Sequence, residues 1–385
     1  MERRKFLLGL GGAGLVLVGG GAWQTARWNA MMADATAPWQ AAGQEFGDAR
    51  LNALAYAILA PNPHNLQPWK VRLEGDDALT LFYNTQKSLP ATDPLMRQLT
   101  IGLGAFLELL RMAAAARGSA LRERLFPEGE PQPVLDDRPI ARVQFVRAPG
   151  LAVSPLFAHV LKRRTVREQF RDEPVPQAEL DELARTELGA PQLRFAASSA
   201  PDRVAELKDL SQASWLIEHR TRASFQESVD VTRIGAREIA ANPDGISLDG
   251  GMMEFGRITR LVTRAGMGTP GSFAHNASET FYSGLIATSR AFGWLVSADN
   301  SRRTQLASGA AWLRLHLAAT RAGLAMHPLS QALQEFPEMR PEYERAHRLL
   351  NAPLPARVQG LFRFGYAAAP PPAPRWPMDA HIMRT

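Results

Sequence analysis

The chain has 385 residues, 45% apolar and 21% charged, which suits one large domain or two ordinary ones and excludes collagenous or disordered classes. Its net charge is +6, but the basic residues are scattered and only "KRRTVR" (162–167) is dense, so an extended nucleic-acid face is not expected. Cysteine is absent, which excludes disulfides and thiolate chemistry.

The amino terminus reads "MERRKFLLGLGGAGLVLVGGGAW", with Arg3-Arg4, then Phe6, then a glycine-diluted apolar run to about Trp23. Two arginines with Phe two positions on and only moderate hydrophobicity resemble a twin-arginine (Tat) export signal. That implies contact with the Tat translocase and a periplasmic or cell-envelope location. The run 6–23 also nears the ~18-residue lower limit for a membrane span, so an anchor is the other reading. Ala33-Asp34-Ala35 and Ala35-Thr36-Ala37 both fit small-residue cleavage sites, and residues 1–37 are taken as signal or anchor.

From Asp48, "DARLNALAYAILA" places Leu51, Leu54, Ala55, Ile58 and Leu59 on one helical face, and Pro61 and Pro63 stop the helix. "WKVRLEGDDALTLFYN" predicts a hairpin, Trp69–Leu73 and Leu79–Tyr83 around Gly75-Asp76-Asp77. A long apolar helix follows over about 101–116, then a strand over 141–146. "FAHVLKRRTVREQF" opens a second unit whose helix has Pro176 near its start. Residues 38–150 and 151–385 are thus read as two lobes. The glycine- and methionine-rich stretch within about 240–285 is either a lid or a mobile surface loop.

"GAFLELLRMAAAARGSA" (104–120) and "GAAWLRLHLAATRAGLA" (309–325) superpose without a gap. Gly104 meets Gly309, Leu110 meets Leu315, and Gly118 meets Gly323 where a left-handed cap would sit. The echo reads as an internal duplication, with two alanine-rich core helices of like composition as the alternative.

Two stretches carry chemistry. In "LAPNPHNLQPWK" (59–70), Pro61, Pro63 and Pro68 fix φ and withdraw donors, so the segment is neither helix nor central strand. The stiff frame holds the amides of Asn65 and Gln67 two apart, suited to a ligand edge that mixes acceptors with an N–H donor. In "KRRTVREQF", Arg163, Arg164 and Arg167 repel one another unless an anion such as a phosphate neutralises them; a solvated helix start is the plain alternative. No metal pattern occurs: the eight histidines are scattered without HExxH spacing.

"APNPHNLQPW" resembles the Asn-x-Gln-Pro-Trp loop of the nitroreductase family of FMN enzymes, and "RRTVREQF" resembles that family's arginine segment. "ASGAAWLRLHLAATRAGLAMHPLSQALQEFPEMR" resembles its central helix and following loop, and "VQGLFRFGYAAAPPPAPRWP" its Arg-x-Gly-Tyr strand and proline-rich end. The resemblance implies an α+β fold and, since each half carries what the other lacks, two tandem lobes forming a pseudo-dimer around one composite FMN site. It implies flavin contacts by Asn65, Gln67, Arg163, Arg164, Thr165 and Arg167. His64 stands nearby as a proton donor or a local backbone cap. Leu329 and Ser330 fall where the family approaches flavin N5 through backbone N–H, and Arg375 where it holds phosphate. The expected activity is a flavin-dependent oxidoreductase passing hydride or electrons through N5 to a small-molecule electron acceptor. A non-catalytic flavin-sequestering protein and an envelope interaction protein with a decayed flavin site are the alternatives.

Overall fold

The structure, a computed structural model, describes residues 28–384; the twin-arginine segment and the apolar run 6–23 lie outside the described residues. Helix α1 covers 28–41, and α2 (Ala49–Ala57) begins where Asp48, in extended conformation, accepts from the Arg50 N–H. The hairpin β1 (Trp69–Glu74) and β2 (Ala78–Tyr83) leads into α3 (Arg97–Ala116), then β3 (Ser119–Leu125) and β4 (Pro139–Arg147). The second half runs α4 (Gln177–Ala184), β5 (Leu193–Ser198), α5 (Pro201–Arg220), α6 (Arg222–Asp230), β6 (Thr232–Ile234), α7 (Ala236–Ala241) and β7 (Ile246–Leu248). It continues with α8 (Gly251–Ile258), α9 (Arg264–Met267), α10 (Phe273–Ala287), β8 (Ala291–Ser297), α11 (Arg302–Arg321), β9 (Ala325–Pro328), α12 (Arg340–Leu349) and β10 (Arg357–Gly365).

The two main sheets are built alike. The first has the order β1-β2-β4-β3 and the second β5-β8-β10-β9, all neighbours antiparallel, each with its long helix between the second and third strands in sequence. Helices α3 and α11 pack together at the centre. Gly104 and Gly309 let their backbones touch there, since a Cβ on either would overlap the other helix's main chain at Leu306 or Ile101. Gly118 and Gly323, just past the ends of these helices, hold φ of +73° and +75°, the left-handed closure that glycine admits without strain.

Two boundaries differ from the sequence reading. The cut at residue 37 falls inside α1, whose Met32, Ala35 and Trp39 are buried, so this helix belongs to the folded body. Its small residues mimic a cleavage site because they pack closely: Met32 and Ala35 lie against Ala236 and Ile239 of α7. The carboxy-terminal tail, assigned to the second lobe, returns to the first. Met383 N–H donates to Val71 O of β1, and Arg375 N–H to Ala35 O of α1.

Candidate functional site

The 59–70 loop is as constrained as its prolines require, with His64, Asn65 and Gln67 at φ of +46°, +55° and +55°. Left-handed non-glycine residues persist only where contacts over-determine them. Asn62 Oδ1 accepts from the Gln67 N–H at 2.8 Å, and Gln67 Nε2 donates to Pro243 O at 2.8 Å. The Trp376 N–H donates to Gln67 Oε1 at 2.9 Å, Asn65 Nδ2 donates to Pro374 O at 3.0 Å, and Asn65 Oδ1 accepts from Arg375. Both amides therefore bind the backbone of the tail. The expectation that they stand open to a ligand edge is corrected on this point: a chain segment 309 residues away takes their hydrogen bonds.

Arg375 is also corrected as a free phosphate ligand. Its Nε donates to Ile58 O, its Nη2 to Leu59 O and Ala60 O, and its Nη1 to Asn65 Oδ1 and Pro374 O, so every nitrogen of the fork is engaged. It closes the carbonyl end of α2, as cations at helix carboxy termini do. Arg163 donates to the same Leu59 O at 3.2 Å. This contact joins the arginine segment to the proline loop. Arg164 bonds Leu161 O and Arg163 O.

The three guanidiniums ring Trp39, with Arg164 at 4.6 Å, Arg375 at 5.7 Å and Arg163 at 5.8 Å from its ring centre. No carboxylate pairs with them among the described residues, so the indole face and the carbonyls supply the negative potential. Burial and like charge push Arg163 and Arg375 down to about 9. His316 completes the layer. Burial and Arg163 hold it near 3, so it is neutral, with Nε2–H placed to donate to Arg164 O at 2.9 Å and Nδ1 facing Arg163 at 3.4 Å.

Arg167 differs from all of these. Among the described residues it makes no hydrogen bond and no ion pair, and its side chain is reached by solvent. Desolvation by the surrounding chain lowers its pKa even so. His64 borders the same region: it makes no side-chain hydrogen bond among the described residues, which leaves it without a backbone group to cap there, and burial with the Arg167 charge lowers it to about 4. Tyr282 stands there too, accepting from Gln331 Nε2 at 2.9 Å and packing edge-on to His327 at 5.9 Å.

The segment carrying Arg167 is pinned from below. Thr165 bridges Met326 of β9 through its backbone, and the Val166 N–H donates to Met326 O. Fully buried Arg363 donates to His327 Nδ1 at 2.9 Å, Leu285 O at 2.6 Å and Glu168 O at 2.7 Å, and stacks on Phe170. Of the two residues expected to offer backbone N–H, Leu329 is committed to Leu361 O at 2.8 Å, while the Ser330 N–H finds no acceptor among the described residues.

Sequence reasoning missed Trp39, Tyr282, His327, Arg363, Trp376 and Asp244. Arg363 was in view as the arginine of "RFGY" but not as a clamp. Buried Asp244 takes Lys87 at 2.5 Å, Arg233 at 2.8 Å and Trp376 Nε1 at 3.1 Å, fastening the tail over the loop.

The fold and this arginine-rich layer define an α+β protein of paired antiparallel sheets with a cationic cluster at its centre and an exposed, unpaired arginine beside it in sequence. A model of the nitroreductase family matches residues 160–366, from just before Arg163 to Tyr366. The chain belongs to the nitroreductase family and is an oxidoreductase enzyme. It is 29% identical over 341 residues to acg of Mycobacterium tuberculosis, a protein provisionally named an NAD(P)H nitroreductase, covering 85% of this chain and 93% of that one. A second Mycobacterium tuberculosis protein, similarly named, is 28% identical over 179 residues, 46% of this chain and 49% of its own. Among solved structures, iodotyrosine deiodinase bound to FMN and 3-iodo-L-tyrosine aligns over 58% of this chain and 94% of its own at 18% identity and a TM-score of 0.33. The FMN-dependent nitroreductase NfnB of Mycobacterium smegmatis, in complex with NADPH, aligns over 58% and 95% at 18% identity and a TM-score of 0.35.

Proposed function

We propose that the chain is an FMN-dependent oxidoreductase of the cell envelope, with one composite site formed by two lobes that act as a fused dimer. The observation that carries this is Arg167, an exposed guanidinium with no protein partner among the described residues, on a segment pinned to β9, the strand just ahead of the unpaired Ser330 N–H. An unpaired cation and an unpaired backbone donor suit the anionic edge of a reduced flavin. FMN, when bound, supplies hydride or electron transfer through its N5.

The chain's own contribution is placement and charge. Arg363 and the Thr165 bridge hold Arg167 in position, and Tyr282 keeps its proton because burial raises its pKa. His64 is neutral near pH 7, so it offers one ring N–H and one acceptor nitrogen and has no acidic proton to give. The matching strand orders and the reciprocal Gly104–Leu306 and Gly309–Ile101 contacts support the fused-dimer reading, because a twofold axis makes each contact twice. The mycobacterial relative's name offers NAD(P)H as donor; export by the Tat route would require another electron source in the envelope.

The test is flavin per chain, read by absorbance after denaturation, on residues 28–385 and on Arg167→Gln. About one FMN per chain, lost in the variant, is the expected result. Two FMN would refute the composite site, and none after adding FMN to folded protein would refute the flavin reading.

A further inference from the structure

Helix α8 turns its apolar side outward. Met252 is 80% exposed, Phe255 63% and Ile258 61%, spaced by three along one face, and Leu261, just past the end of the helix, is exposed too. Phe273 and Phe281 of α10 are exposed as well. A monomeric soluble protein rarely shows water so continuous a patch. The segment is cationic overall: residues 251–264 hold Arg257, Arg260 and Arg264 against the single acid Glu254. Arg257 pairs with Glu254 and Arg264 with Glu238, while Arg260 has no ion pair among the described residues.

The position of this face narrows its occupant. Met32 and Ala35 of α1 pack on Ala236 and Ile239 of α7, with Trp28 and Met31 alongside. Gly235, which precedes α7, faces α8 so closely that a Cβ there would stand 2.9 Å from Arg257 Cδ. Helices α1 and α8 therefore flank one short helix, α8 meeting its start through Glu254 and Arg257 and leaving the apolar row free. The apolar run 6–23 lies immediately ahead of α1 in the sequence.

We propose that Met252, Phe255, Ile258 and Leu261, with Arg260, form a docking surface for an anionic lipid bilayer. The apolar row enters the headgroup–acyl boundary and Arg260 meets a lipid phosphate, the arrangement of an interfacial amphipathic helix. Tethering near α1 brings this face down onto the membrane. The inference does not depend on the flavin reading.

Because cysteine is absent, one introduced thiol can be labelled alone. Full-length Phe255→Cys, and Asp76→Cys in the exposed β1–β2 turn, would carry an environment-sensitive fluorophore on vesicles containing shallow nitroxide-labelled lipid. With phosphatidylglycerol present, the label at 255 should lose about half its emission, with little loss on pure phosphatidylcholine and none at position 76. Arg260→Glu should sharply reduce the quenching while the chain stays vesicle-bound through its amino terminus. An unquenched label at 255 on bound protein overturns the proposal. So does a label already shielded without vesicles, which would mean a second copy or the run 6–23 covers the face. Failure of the full chain to bind either vesicle overturns it as well.

Discussion

The Cα of Gly104 lies 2.9 Å from the point where a Cβ on Gly309 would stand. At this point α3 and α11 meet main chain to main chain, and no side-chain movement can make room. Gly309→Ala would also overlap Ile101 O, a backbone atom fixed within α3. It is expected to destabilise the fold by about 3 kcal/mol or more, through overpacking. Denaturant unfolding checks this, and a midpoint within error of the parent would mean that the helices can separate at low cost.

Arg375 and Asn65 make a second case in which a predicted ligand contact is a fold contact. Arg375→Ala would strand the carbonyls of Ile58, Leu59 and Ala60 at the buried end of α2. The expected loss is about 3 kcal/mol of stability, with FMN affinity of the folded protein changed less than about threefold. Unfolding curves and a flavin titration on the same sample separate the effects. A large drop in affinity with an unchanged unfolding midpoint would restore Arg375 as a phosphate ligand.

What the sequence disclosed was mostly local. The Asp48 cap, the β1–β2 turn and the glycines after α3 and α11 are set by neighbouring residues, and each stands where pattern places it. The start of α3 lies four residues ahead of the expected 101. Arg97 is charged and yet buried, donating across the molecule to Leu333 O and Gln359 Oε1. No apolar periodicity signals that. The amides of Asn65 and Gln67 were recognised as held groups, but their partners lie 309 residues on, and a proline-rich tail carries no pattern that names its docking site. Trp39 was hidden differently, because a helix of small residues reads as a processing site when its packing partner in α7 is unknown.

Asp244 ties that tail down. Burial alone would raise its pKa, but the hydrogen bonds from Lys87 and Trp376 outweigh burial and hold it below the ordinary carboxylate value. A carboxylate depressed in the folded state stabilises above its unfolded pKa, and that stability is lost as pH falls through the lower folded value. Asp244→Asn should therefore release the tail at neutral pH, leaving Lys87 and Arg233 without their shared anion. Limited proteolysis with mass detection should find cleavage within 367–377 in the variant and not in the parent. Equal resistance would show that Asn65, Gln67 and Arg375 hold the tail without Asp244.

Glu218 of α5 titrates in the opposite sense. It is 3% exposed with no cationic partner among the described residues, accepting from Gln334 Nε2 at 3.0 Å, and burial pushes it from 4.5 up to about 7. Between those values the folded state binds the extra proton, so this group's contribution to stability falls as pH rises, by roughly 3 kcal/mol in all. Glu218→Gln keeps the shape and removes the titration. Its stability relative to the parent should climb from about pH 4.5 to pH 7 and level off above. Asp93, raised to about 6 by burial, acts in the same direction. His316 and His381, held near 3, act against it by losing stability as pH falls below 6.5. These groups are common to both proteins and cancel in the difference, so urea unfolding of parent and variant at each pH isolates Glu218. Parallel curves would mean that the Glu218 carboxylate finds water or a cation in solution and is not buried as a neutral acid.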